Sequence, residues 1–318
     1  MKLSVIIPCY NAAGHLPLLT RSLRANLRRD FEFVFVDDGS TDDTAELLAG
    51  VAADLPGATV LRHERNRGVA AARNTGLARA AGRYLVWLDA DDWVGSGHLD
   101  ALVRTIERLG CDFVRTDHVR VVGRRRSIVR SPESRRDLVV PPRSAICPPF
   151  RSTSVDYPPA WAGIYHRRLA ERGLLGFAEN LHAHTDRHWT WRLHRGADSF
   201  ATVGLPGVFH RHGGPDSLSR RQDAHPLHLL DAMTMVIAET ADDPEAARLL
   251  PKAVDSTCAL ITHQLNRRDR LPVEWQQRLV DRSAATLRGM PQPVLRQVLA
   301  QGSPRRRRLL TRTLRAGA

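Results

Sequence analysis

Tyr84-Leu85-Val86-Trp87-Leu88, followed at once by Asp89-Ala90-Asp91-Asp92-Trp93, is the stretch on which the fold turns. An apolar run of this length reads as a buried strand, and it ends in three carboxylates within four positions. Like charges this close repel and raise a pKa unless a cation joins them. In an extended segment alternate side chains share a face, so Asp89 and Asp91 are expected on one side and Asp92 on the other. Two carboxylates on one side of a strand end suit a hard, oxygen-liganded cation, Mn²⁺ or Mg²⁺, that keeps sites open for phosphate oxygens. The same residues also read as a solvated acidic turn ahead of a helix starting near Ser96, and the stretch alone does not choose.

Outward from that strand the chain alternates. Leu3 to Ile7, Phe31 to Val36, Thr59 to Arg62 and Asp112 to Thr116 read as further strands. His15 to Leu27, a segment ending near Ala53, Val69 to Ala80 and His98 to Leu109 read as helices, the second capped by Ser40 or Thr41. The alternation implies an α/β protein with a mostly parallel sheet and helices on both faces. Such a fold collects ligands at the carboxyl ends of its strands.

Beyond Asp117 the pattern changes. Residues 120–143 hold Arg120, Arg124, Arg125, Arg126, Arg130, Arg135, Arg136 and Arg143 with little apolar periodicity, as a loop or hairpin would. Residues 160–177 and 179–194 suggest two helical pieces around a turn. Residues 226–300 read as helical throughout, and Arg305 onward as a basic amphipathic tail. The chain thus divides into residues 1–117, 118–225 and 226–318.

At 318 residues with 42% hydrophobic content the chain is globular. Its net charge of +13 is carried by arginine, since Lys2 and Lys252 are the only lysines, a bias that a GC-rich genome would also produce. The charge favours anionic partners. Nucleic acid is set aside because the arginine runs lack interleaved aromatics and no nucleic-acid-binding motif is present. Cys9, Cys111, Cys147 and Cys258 lie far apart with no metal-ligand spacing, as in a reducing compartment. The apolar start is cut short by Pro8, and no stretch approaches a membrane span, so a cytoplasmic location is expected, with peripheral contact at the inner face of the cell membrane.

Two more strand ends are polar. Asp37-Asp38-Gly39-Ser40-Thr41 is ordinary turn chemistry, or a carboxylate placed for the imide N–H of uracil or for ribose hydroxyls. In residues 62–84, Arg65, Arg67 and Arg73 suit phosphate, and Gly68 lets the chain turn into a helix whose N-terminus favours anions. Alone, this segment reads equally as a surface helix with solvated arginines.

Together, Val5-Ile6-Ile7-Pro8-Cys9-Tyr10-Asn11, Val36-Asp37-Asp38-Gly39-Ser40-Thr41-Asp42, Asn66-Arg67-Gly68 with Ala71-Ala72-Arg73-Asn74, and Leu88-Asp89-Ala90-Asp91-Asp92 resemble, in order and spacing, the family 2 glycosyltransferases of GT-A fold. The likeness covers residues 3–117 closely and 150–220 more loosely. It implies a metal-dependent, inverting hexosyl- or N-acetylhexosaminyltransferase that uses a nucleoside-diphosphate sugar, UDP-linked most commonly. By that resemblance Pro8, Tyr10, Asn11, Asp38, Arg67 and Arg73 line the nucleotide pocket, with Asp38 on the uracil. Asp89 meets ribose or metal, and Asp91 holds Mn²⁺ or Mg²⁺ on the diphosphate. Residues 209–220 resemble the segment that closes over the donor, where His210 or His212 would add a metal or phosphate contact. The three parts become a donor half, an acceptor half and a helical, basic extension.

The family's Glu-Asp pair falls at Thr185-Asp186. Asp186 is thereby the general base, with a helix cap as its alternative, and Thr185 stands where the acceptor-side Glu would be. Trp161 is expected to stack on a sugar, or else to be a core aromatic. His182, His184 and His188 also suggest zinc, although nothing else completes a four-ligand set. The acceptor is expected to be a glycan, a polyanionic cell-envelope polymer or a lipid-linked glycan, with an anionic membrane surface and an oligomer interface on the C-terminal helices as further partners. A noncatalytic nucleotide-sugar-binding protein of the same fold is the alternative, since Glu is missing before Asp186. A nucleotidyltransferase is disfavoured because residues 8–16 lack a Gly-rich phosphate loop.

Overall fold

The computed structural model describes residues 1–181, 183–213 and 225–316. In chain order the first half comprises β1 (Leu3–Cys9), α1 (Leu16–Arg24), β2 (Phe31–Asp37), α2 (Thr44–Asp54), β3 (Ala58–Arg62), α3 (Val69–Arg79), β4 (Tyr84–Trp87), β5 (Trp93–Val94) and α4 (His98–Leu109). Then come β6 (Phe113–Thr116), β7 (His118–Val122), β8 (Arg125–Val129), β9 (Gly163–His166), α5 (Arg168–Glu171), α6 (Thr185–Gly196), β10 (Phe200–Val203) and β11 (Val208–Arg211). The remainder is helical: α7 (His225–Ala241), α8 (Ala246–Leu265), α9 (Val273–Gly289), α10 (Gln292–Gln301) and α11 (Pro304–Ala316).

A seven-stranded sheet in the order β10-β6-β9-β4-β1-β2-β3 forms the centre. All of its pairings are parallel except those of β9, which runs antiparallel between β4 and β6. Strands buried on both faces must be apolar along their whole length, as β1 and β2 nearly are. Helices α1 and α4 present one buried stripe each, Leu16, Leu19 and Leu23 in the first and Leu99, Leu102, Val103 and Ile106 in the second. Helix α3 comes closer to the sheet because Ala70, Ala71, Ala72 and Gly76 face it; a Cβ on Gly76 would collide with Ile6 and crowd Val36.

Three sequence expectations change. Of the two helical pieces expected in residues 160–194, the second folds as α6, while the first gives way to strand β9 before the short α5, since a short apolar run does not distinguish a buried strand from a helix. Strand β10 adds the sheet's far edge. Neither Ser40 nor Thr41 caps α2: Ser40 Oγ accepts from Asn11 N and Thr41 N donates to Asn11 Oδ1, while Asp42 Oδ1 accepts from Thr44 N at the helix start. The basic stretch after Asp117 folds as the expected hairpin, β7 with β8, in a second sheet ordered β5-β11-β7-β8.

The C-terminal helices build their own core around Leu230, Val254, Ile261 and Leu287, into which Ile146, Val155 and Trp191 project. No helix among the described residues is long and apolar enough to cross a membrane.

Candidate active site

The parallel register aligns the carboxyl ends: Cys9 pairs with Asp37, and Asp37 with Arg62. Asp38 and Asp89 therefore leave the sheet at one edge, beside the N-terminal end of α3.

Asp38 turns inward. Its Oδ1 accepts from Arg67 N at 2.9 Å and meets His63 Nδ1 at 2.7 Å, and its Oδ2 accepts from Gly68 N at 2.7 Å. His63 in turn meets Thr75 Oγ1 at 2.9 Å. The carboxylate expected on a base is here the organiser of the turn into α3, at 3% exposure. Gly39 permits that turn: its φ is +70°, and a Cβ would lie 2.5 Å from the Arg65 carbonyl carbon. Pro8 is buried in β1, whereas Tyr10 is exposed and Asn11 adopts φ 48°. The Arg67 side chain reaches Glu179 at 3.2 Å.

Arg73 gathers the predicted residues. Buried on α3, it donates through Nη2 to Asp89 Oδ1 at 2.9 Å and through Nη1 to Asp186 Oδ1, with its guanidinium 4.9 Å from the centre of the Phe177 ring. Its own basicity is raised: burial opposes the charge, but Asp186 and Asp89 outweigh it. The neighbouring Asn74 clamps the loop carrying Phe177, giving Nδ2–H to Phe177 O and Glu179 Oε1 and accepting from Phe177 N at 2.7 Å. Asp186 sits in the first turn of α6, yet it makes no cap. Its Oδ2 accepts from Ala160 N at 3.1 Å, so the cap alternative fails.

The Asp89–Asp92 stretch is a turn, closed by Asp92 N donating to Asp89 O at 3.0 Å, which corrects the extended geometry expected for it. It is not a solvated acidic turn either. Asp92 is buried, accepting from Arg211 N at 2.8 Å and meeting His210 Nδ1 at 3.0 Å. Burial pushes Asp92 up to about 7, with His210 pulling the other way. Burial would lower His210, but Asp92 holds it above its ordinary value. Asp91 is raised by burial and by Asp89.

Among the described residues, no three His, Cys, Asp or Glu side chains converge as a metal set. His212, whose main-chain N–H donates to Val121 O on β7, forms no such set with Asp89 and Asp91 among the described residues. Of the histidines read as a zinc set, His188 is engaged elsewhere, its Nε2 meeting Glu239 Oε1 at 2.5 Å. His182 and residues 214–220 of the expected closing segment lie outside the described residues. Asp89 and Asp91 still suit a hard divalent cation chemically, because both offer carboxylate oxygens and a cation would relieve their crowding.

Two acceptor-side expectations are corrected by burial. Trp161 is 5% exposed, with His210 stacked on its face at 4.7 Å and His118 edge-on at 4.8 Å, so no ring face is open to a sugar. Thr185 is buried beside Asp186, its Oγ1 3.4 Å from Asp186 Oδ1. His63, Phe177 and Glu179 were not singled out from sequence. A lone histidine and a loop more than 100 residues from its partner give no local signal.

Residues 4–175, more than half of the chain, match the family model described as glycosyl transferase family 2. The chain is 28% identical over 217 residues to the Bacillus subtilis (strain 168) protein described as uncharacterized glycosyltransferase EpsJ, covering 68% of this chain and 62% of that one. Across eight curated relatives the match spans 16–62% of their lengths. Among solved structures it is similar to S. aureus TarS 1–349 in complex with UDP-GlcNAc, with a TM-score of 0.79 at 20% identity over 100% of this chain and 88% of that one. A second likeness is the mannosyltransferase PcManGT from Pyrobaculum calidifontis in complex with GDP-Man and Mn²⁺, at a TM-score of 0.55 and 20% identity over 99% and 80% of the two chains. These likenesses bear out the fold expected, a mostly parallel sheet between helices with helices following it. With the family model spanning β1 through α5, the chain belongs to glycosyl transferase family 2.

Proposed function

We propose that the protein moves a sugar from a UDP-sugar to a hydroxyl of a glycan, cell-envelope polymer or lipid-linked acceptor, with inversion at the anomeric carbon. The observation that carries this reading is the Arg73 bridge, which sets Asp186 beside Asp89 although 97 positions separate them in the chain (186 − 89). A general base and a strand-end carboxylate are thereby held by one side chain.

In the transfer, the bond from the anomeric carbon to the diphosphate oxygen breaks as the acceptor oxygen attacks from the opposite face. Asp186 takes the acceptor proton. The Ala160 N–H and Arg73 orient its carboxylate. Arg73 also holds Asp89, and the Asp38-organised turn presents the N-terminus of α3 toward anionic groups. Asp91 and Asp89 would hold a divalent cation, Mn²⁺ or Mg²⁺, which supplies Lewis-acid neutralisation of the leaving diphosphate. Mn²⁺ in the mannosyltransferase complex and UDP-GlcNAc in the TarS complex support these choices. A hexosyl or N-acetylhexosaminyl group, a cytoplasmic setting and the three-part division belong to the same proposal.

A noncatalytic nucleotide-sugar-binding role is the second reading, favoured by Thr185 in place of Glu and by the full engagement of Asp186 with Arg73 and Ala160. Asp186→Asn separates the two. Catalysis predicts that the variant binds UDP as the wild type does while sugar transfer falls by roughly 10²–10⁴-fold. Unchanged turnover in the variant would remove Asp186 from the chemistry.

A further inference from the structure

An open groove of about 410 Å³ lies beside the carboxylate turn, lined by Leu18, Trp93, Val121, Arg124, Arg126 and Arg211. That volume lies within the range of small-molecule sites. No acidic side chain lines it.

Two of its three cations, Arg126 and Arg211, rest on aromatic rings. Trp93 and Phe209 stack with centroids 5.4 Å apart and planes 4° apart. The Arg126 guanidinium lies 5.5 Å from the Phe209 centroid, and that of Arg211 lies 5.4 Å from Trp93. Stacking fixes a planar cation without consuming its N–H donors, which stay available for bidentate bonding to phosphate oxygens. Among the described residues, the Arg211 guanidinium donates through Nε alone, to Asp91 O at 3.2 Å.

Elsewhere in the basic stretch Arg135 pairs with Glu133, Arg136 with Asp117 and Arg143 with Asp243. Among the described residues, Arg124, Arg126 and Arg211 pair with no carboxylate side chain. The groove thus gathers three such cations with no carboxylate among its lining residues.

The groove also shares a wall with the candidate active site. Arg211 is joined to the turn twice, through its N–H to Asp92 and its Nε–H to Asp91 O. A groove-lining residue, Arg211, thus touches the main chain of Asp91, one of the carboxylates proposed to hold the donor's cation.

We propose that this groove binds a phosphodiester group of the acceptor, so that the acceptor is a phosphate-bearing polymer whose hydroxyl is delivered to the carboxylate edge. The acceptor role rests on the sugar-transfer reading, whereas the anion binding stands on the groove alone. The concave form and the shared wall fit a chain threading past Asp91 better than a flat lipid surface.

The test titrates the full-length protein with a synthetic glycerol-phosphate oligomer, a neutral glycan of matched length and phosphatidylglycerol vesicles, with UDP plus Mn²⁺ measured alongside. The oligomer is expected to bind, the neutral glycan not. The variant Arg124→Gln/Arg126→Gln should lose roughly tenfold in oligomer affinity with UDP binding unchanged, since both side chains lie on the hairpin away from the Arg73 cluster. Arg305→Gln/Arg308→Gln removes the same charge from α11 and should leave the oligomer affinity within about twofold. Equal losses from the two variants, no loss from the hairpin variant, or binding to vesicles alone would each overturn the proposal. Oligomer binding without UDP binding would sink the sugar-transfer reading and leave the groove standing.

Discussion

Arg73 is the residue on which the candidate site converges, because its guanidinium ties Asp89 and Asp186 while its plane rests on Phe177. Removing it as Arg73→Ala leaves two partly buried carboxylates uncompensated, at a cost on the order of 3 kcal/mol. Chemical denaturation should show that loss, and an Arg73→Lys variant should recover only part of it, since one ammonium cannot reproduce the two-sided fork. A second single-residue prediction concerns Gly39, where positive φ and the Arg65 backbone leave no room for a methyl group. Gly39→Ala should cost at least about 2 kcal/mol and weaken nucleotide binding by displacing the Asp38 turn. Asp186 and Arg73 were both legible as site residues through their motifs. Their contact was not, because nothing local in α3 or α6 encodes a pairing 113 positions apart.

At the scale of the element, α3 shows why a run of small residues accompanies the arginine. Ala70, Ala71, Ala72 and Gly76 let the helix settle against Ile6 and Val36, and that close approach buries Arg73 at the sheet edge. Gly76→Ala would force the Ile6 side chain aside; a stability loss of about 1–3 kcal/mol is expected, with weakened UDP binding as Arg73 shifts. Unaltered affinity and melting temperature would show that the helix has slack. The first strands and helices were readable because apolar period and turn residues agree there. Strand β9 was not, since four residues, three of them buried, that enter the sheet antiparallel carry no distinguishing period. The turn at Asp91 escaped for a related reason: its hydrogen bond from Asp92 N to Asp89 O and its anchor at His210 come from backbone geometry and from a strand over 100 residues away.

For the whole molecule, three buried histidines set a pH limit on stability. Burial depresses His98 to about 4, His118 to about 4 and His194 to about 3, with His210 adding to the effect at His118. Each stays neutral in the fold and titrates near 6.5 once unfolded. At these three sites the unfolded chain therefore takes up protons first as pH falls, so they lower stability from about pH 6.5 downward, each by about 2 kcal/mol by pH 5, while the raised Asp92 carboxyl offsets part of that loss. Melting temperature measured from pH 7.5 to 5 should fall, and fall less in His98→Gln; a flat profile would contradict the neutral burial of these groups. The α/β class and the helical extension were legible at this scale, while the second core joining Ile146, Val155 and Trp191 to the C-terminal helices depends on contacts that no sequence period marks. The measurement that goes most directly to the proposed function is calorimetric titration of UDP into the protein with Mn²⁺, with EDTA in its place, and with Asp91→Asn. Binding that needs the metal and is lost in Asp91→Asn is the expected result. Absence of UDP binding under all three conditions would contradict a UDP-sugar site at the carboxylate edge.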